Sequence, residues 1–187
     1  VFWCLFASSM SYSIYAVAMA PNLVPLLVGK GQTAMAAAGI ASLMGLIALG
    51  SRLSAGFLLD IFPSHIVGAL IFLLPVAGCA ILLLEQPSLP LLIAAVVSIG
   101  MTVGAEFDVI VYLTSRHFGL KAFGALFGGM ITAGAAGGAI GPVLAGWIHD
   151  QYGNYNPLLI FMVAIMLVSS LLVLSTGRPK QEWGVAH

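Results

Sequence analysis

The fold turns on residues 66–84, Ile66-Val67-Gly68-Ala69-Leu70-Ile71-Phe72-Leu73-Leu74-Pro75-Val76-Ala77-Gly78-Cys79-Ala80-Ile81-Leu82-Leu83-Leu84, which contain no charged residue. A bilayer core about 30 Å thick takes about 20 apolar residues in a helix, and this run has that length. Asp60-Ile61-Phe62-Pro63-Ser64-His65 precedes it and Glu85-Gln86-Pro87-Ser88 follows it, so polar and helix-breaking residues mark both ends.

The same alternation of long apolar run and short polar break recurs along the chain. Five further segments are expected at about residues 2–28, 33–59, 90–114, 123–148 and 157–176, with Pro21 and Pro25 kinking the first. Short connections at 29–32, 60–65, 85–89, 115–122 and 149–156 join them, and a polar tail, 177–187, follows one transmembrane domain over 1–176. The expectation is an all-α membrane protein, a bundle of six transmembrane helices.

Composition agrees. Of 187 residues, 61% are hydrophobic and 6% charged, and the mean hydropathy is +1.12, which leaves too little polar surface for a water-soluble globule. A formal net charge of +0 without a basic stripe argues against a nucleic-acid partner. Cys4 and Cys79 sit inside apolar runs, where a small buried thiol is the ordinary reading. Val1 is not an initiator Met, and residues 1–20 lack the basic n-region of a signal peptide. The first segment therefore reads as a helix that begins upstream, in a fragment.

Basic residues stay on the cytoplasmic side. One side collects Arg116, Lys121, Arg178 and Lys180, with Arg52 near it, whereas the other has Lys30 alone. Both termini are thus expected to be cytoplasmic.

Two helix ends carry matching text, Ala55-Gly56-Phe57-Leu58-Leu59-Asp60-Ile61-Phe62 and Ala145-Gly146-Trp147-Ile148-His149-Asp150-Gln151-Tyr152. An odd number of helices separates the copies, so they fall at opposite membrane faces, as in an inverted-topology repeat of two three-helix units.

Gly50-Ser51-Arg52-Leu53-Ser54-Ala55-Gly56-Phe57-Leu58-Leu59-Asp60 resembles the loop between the eighth and ninth helices of major facilitator superfamily carriers. Members usually continue with a basic residue and Gly-Arg-Arg, where this chain has Ile61, Phe62, Pro63, Ser64 and His65. Residues 106–113, followed by Arg116-His117-Phe118-Gly119, are similar to the tenth helix of bacterial carriers near the monocarboxylate and oxalate–formate branches. Gly141-Pro142 through Asp150, with Tyr152-Gly153, is similar to their eleventh helix. The resemblance implies the C-terminal six helices of a twelve-helix carrier in a bacterial inner membrane, its N-terminal six-helix half missing from this chain. It implies no cofactor.

Charges within the span are costly and mark candidate sites. Arg52 lies about 12 Å of helix rise before Asp60. Arg52, Gly56 and Asp60 share a stripe, so Arg52 either snorkels and pairs with an acid or clamps a substrate carboxylate through its planar fork. The matching arginine in organic-anion carriers implies the second role. Glu106 and Asp108 are about 200° apart around a helix and cannot share a face. Asp108 lines up with Gly100, Gly104 and Tyr112, a small-residue stripe suited to close packing, where its carboxylate would meet a basic residue or a helix end. Either acid could exchange a proton, Glu106 being the one favoured, or serve with Asp60 and Arg116 in a cytoplasmic gate.

Ser8, Tyr12, Tyr15 and Met19 form a polar-aromatic stripe on the first helix, which could line a substrate cavity or a hydrogen-bonding interface. Gly137, Gly141 and Pro142, in the glycine-rich fifth segment, mark a packing surface and a hinge.

The function expected is secondary transport of a small organic anion, a monocarboxylate, by alternating access, with proton coupling open. Carriage of a neutral or amphipathic compound in either direction, with Arg52 structural, is the alternative; a six-helix channel and an intramembrane enzyme stand further off. No Gly-x-x-x-x-Gly-Lys-Ser/Thr loop, selectivity-filter loop or His/Glu zinc motif occurs.

Overall fold

A computed structural model describes residues 1–179; Lys180 and the rest of the expected tail lie outside the described residues. Those described form helices and no strand: α1 Phe2–Gly29, α2 Ala34–Ile61, α3 Ser64–Leu83, α4 Leu89–Tyr152 and α5 Asn156–Ser175. All five are long and apolar enough to cross a membrane.

Local chemistry sets the ends. The Thr33 hydroxyl accepts the Ala36 amide at 3.3 Å and caps the start of α2. Pro63 stops α2 by disfavouring helical geometry in the residue before it. Lys30 Nζ donates to the carbonyl of Leu84 at 2.8 Å, closing the end of α3. Gly153, at φ 66°, ends α4 with its N–H on His149 O. α1 runs unbroken through Pro21 and Pro25.

One expectation needs correction. Residues 115–122 are not a loop: helical geometry continues through them except at Gly119, where φ is 72° and ψ 170°. Along a straight helix Phe107 and Phe127 would stand about 30 Å apart, yet their ring centroids are 5.6 Å apart. The Thr114 hydroxyl likewise reaches Met130 Sδ at 3.1 Å. α4 is therefore two antiparallel arms, 89–118 and 120–152, reversed at one residue. With α1, α2, α3 and α5 they make six spans.

Glycine sets how closely the spans approach. A Cβ on Gly104 would collide with the carbonyl of Ala48, and one on Gly137 with the carbonyl of Met10. Gly141 would bring a Cβ to 2.6 Å from Ile14 O. The first arm of α4 thus lies backbone to backbone against α2, and the second against α1. Small hydroxyls then bridge the helices: Thr102 to Ile71 O at 2.9 Å, Ser170 to Ala69 O at 2.7 Å, Ser9 to Met130 O at 3.3 Å, and Ser51 to Met101 O. In hydrocarbon, van der Waals packing and such bonds replace the hydrophobic drive.

Buried side chains run through all five helices as one core. α2 and the second arm of α4 are the least covered. A Cβ on Gly45, Gly50, Gly56, Gly124 or Gly128 would meet nothing within 4 Å.

Candidate functional site

Arg52 sits nine residues before the end of α2, about 13 Å of rise. Across the close α2–α4 contact its Nε stands 3.3 Å from Asp108 Oδ2, and Nη2 donates to Oδ1 at 3.5 Å. The two planar groups meet side-on through parallel contacts. Gly100 and Gly104 allow the approach. The pair is the one ion pair among the described residues, and it is open: the Arg52 side chain is 56% exposed and that of Asp108 29%. The guanidinium also lies 5.6 Å from the centroid of the Phe107 ring, within cation–π range. Phe107, unremarked in the sequence because it reads as one more apolar residue between two acids, is the floor under Arg52.

Glu106 points elsewhere, as its 200° offset requires. It is 8% exposed and borders a cavity of about 230 Å³ with Ser9, Tyr12 and Ser13 of α1 and Phe127 and Met130 of the second arm. No cation stands within 4.0 Å of it among the described residues. The two acids thus differ: Asp108 is charge-paired and open, Glu106 enclosed among hydroxyls and aromatic rings.

The residues of the first-helix stripe have different surroundings. The Ser8 hydroxyl donates to Ser169 O at 3.4 Å and faces α5. Tyr12 packs edge-on against Phe72 of α3, centroids 6.1 Å apart, while bordering the Glu106 cavity. Tyr15 is 0% exposed, and its hydroxyl has no hydrogen-bond partner. It borders a second cavity of about 350 Å³, lined by Met19, Pro21, Met44, Ile99 and Pro142 among others, almost wholly apolar. Pro142 therefore faces a cavity, whereas Gly137 and Gly141 face the backbone of α1.

Asp60 and Arg116 both line a cavity of about 410 Å³ at the α2–α3 end of the bundle, which also takes in His65, Tyr112 and Arg178. The chain separates Arg178 from Asp60 by four helical spans, and the loop charges place the two on one side of the membrane without indicating that they share a cavity. At the opposite end His149 stacks on Tyr155 with centroids 4.5 Å apart, and the Tyr155 hydroxyl donates to Asn22 Oδ1 at 3.0 Å.

A family model described as the Major Facilitator Superfamily matches residues 1–187. A curated protein from Thermoproteus tenax, described as an uncharacterized 38 kDa protein in 23S RNA operon, is 29% identical over 176 residues. That alignment covers 94% of this chain and 44% of the relative, so the chain spans less than half of that protein's length.

Proposed function

The chain belongs to the major facilitator superfamily, a superfamily of membrane transporters, and on that premise we propose that it is the C-terminal six-helix half of a secondary carrier of small organic anions, monocarboxylates in particular. The observation that carries this reading is Arg52: a guanidinium deep in the α2 span, held by one carboxylate and still half exposed. Asp108 occupies one edge of the fork, and the remaining N–H groups are available to a second carboxylate. A substrate anion would share Arg52 with Asp108 or take its place, over the Phe107 ring.

The open flank of α2 and of the second arm of α4 would receive the other half of the carrier, and rocking of the halves would give alternating access. Glu106, enclosed and without a cation, is the group for a coupled proton. The basic-residue bias puts the Arg116 end and both termini on the cytoplasmic side, where Asp60 and Arg116 are placed to take part in a gate.

The test is uptake of radiolabelled acetate, lactate and pyruvate by the full-length carrier in liposomes. Hydrogen bonds to charged groups contribute about 1.5–3 kcal/mol each, so Arg52→Lys, which keeps the charge and loses the fork, should cut uptake by about 10–100-fold. Arg52→Ala should abolish it. Near-normal uptake in Arg52→Lys would sink the carboxylate clamp.

A second reading, carriage of a neutral or amphipathic compound with Arg52 structural, has its own observation in the apolar cavity with the single unpartnered Tyr15 hydroxyl. Uptake of such a compound that survives Arg52→Ala and falls in Tyr15→Phe would favour it.

A further inference from the structure

The cavity shared by Asp60, His65, Tyr112, Arg116 and Arg178 is not needed to bind the transported anion. It lies at the end of the bundle, where the α2–α3 turn, the first arm of α4 and the chain after α5 converge, and holds about 410 Å³. Its two guanidiniums, Arg116 and Arg178, come from separate elements. The Arg116 guanidinium is laid over the Tyr112 ring at 5.0 Å. Among the described residues neither Arg116 nor Arg178 has a carboxylate within 4.0 Å. The Nδ1 atom of His65 is buried without a hydrogen-bond partner, and Arg178 and His117 stand near its ring. His117 is already engaged, its ring nitrogens 2.9 Å from Leu113 O and 3.3 Å from Thr176 O. The N-terminus of α3, with no side-chain cap, opens at the same place. The two guanidiniums outweigh the one carboxylate, Asp60.

We infer that this cavity is a binding site for a phosphate group, carried by an anionic phospholipid or by a soluble phosphate compound. Guanidinium groups bind phosphate through paired charge-assisted hydrogen bonds, and a helix N-terminus adds amide donors directed at an anion. Basic pockets between transmembrane helices at this depth take lipid headgroups. Beside the cavity Ile61, Phe62, Ile66 and Leu70 are exposed along α2 and α3, a surface against which acyl chains fit. Asp60 would accept a hydrogen bond from a headgroup hydroxyl. The inference is independent of what is transported, since binding is measured without transport.

The experiment is native mass spectrometry and thermal unfolding of the full-length carrier in detergent, with phosphatidylglycerol, a phosphate-free galactosyl diacylglycerol, or inorganic phosphate added. Wild type should retain phosphatidylglycerol over the galactolipid, and Arg116→Gln with Arg178→Gln should lower that retention about tenfold or more. Lys121→Gln, on the same face outside the cavity, should change it less than about twofold. Preferential retention of phosphatidylglycerol without an effect of inorganic phosphate identifies a lipid. A phosphate-dependent rise in Tm, lost in the double variant, identifies a soluble source. Equal retention of phosphatidylglycerol and galactolipid by wild type, with no shift from phosphate, overturns the inference, and this comparison holds even if the double variant aggregates. Unaltered phosphatidylglycerol retention in a well-folded double variant overturns it equally.

Discussion

At the scale of single residues, burial divides the polar groups of the span into those with partners and those without. Tyr15 belongs to the second class: its hydroxyl is enclosed and unbonded, and a buried polar group in that state costs about 1–3 kcal/mol. Tyr15→Phe should therefore leave Tm unchanged or raise it by a few degrees, by scanning fluorimetry of the purified carrier. A clear fall in Tm would show that the hydroxyl has a partner in the assembled protein. Glu106 gives the complementary case. If it carries the coupled proton, Glu106→Gln should abolish uptake driven by an imposed pH gradient while sparing exchange of labelled for unlabelled substrate. Equal loss of both activities would remove Glu106 from the coupling step. Arg52 and Asp108 show how far the sequence alone reaches. Their depth in the span marks them as unusual, and the glycines four and eight residues before Asp108 announce a close helix contact. That the contact is with α2, and so with Arg52, is a tertiary fact that no local pattern encodes.

At the scale of elements, α4 depends on Gly119. Its φ of 72° with ψ 170° lies in a region essentially reserved for glycine, where another residue costs about 1–3 kcal/mol. Gly119→Ala should lower Tm or the midpoint of denaturation in mixed detergent accordingly, and an unchanged midpoint would mean that the reversal can be made by neighbouring residues. Gly104→Ala should be comparably damaging, because its new methyl meets the Ala48 carbonyl and overpacking costs about 1–3 kcal/mol. The third span was legible because its apolar run is uninterrupted and bounded by prolines; the structure extends its start only to Ser64. The 115–122 segment was not. Its Ser, Arg, His and Lys residues carry the polarity of a loop, yet Arg, Leu, Lys and Ala are good helix formers, and a glycine at positive φ makes the turn without further chain.

At the scale of the whole molecule, the described bundle is finished on one side and open on the other. A Cβ added at Gly45 or Gly128 would meet no atom of another element within 4 Å, so these positions face outward from the described bundle. If the proposed other half packs there, Gly45→Leu and Gly128→Leu should leave membrane insertion intact while cutting transport by the assembled carrier about tenfold or more, as expected where small residues let helices approach. Retention of full transport in both variants would place lipid, not protein, on that flank.

The one-residue reversal at Gly119 bears on biosynthesis. With no slack between its arms, α4 cannot park one arm in the aqueous channel while the other partitions into lipid. Its first arm carries both Glu106 and Asp108, and a central Asp alone costs about 2.5–3.5 kcal/mol on insertion scales; its second arm has no acidic or basic residue from 122 to 148. The nascent chain would then cross as a hairpin, the later arm drawing in the earlier one.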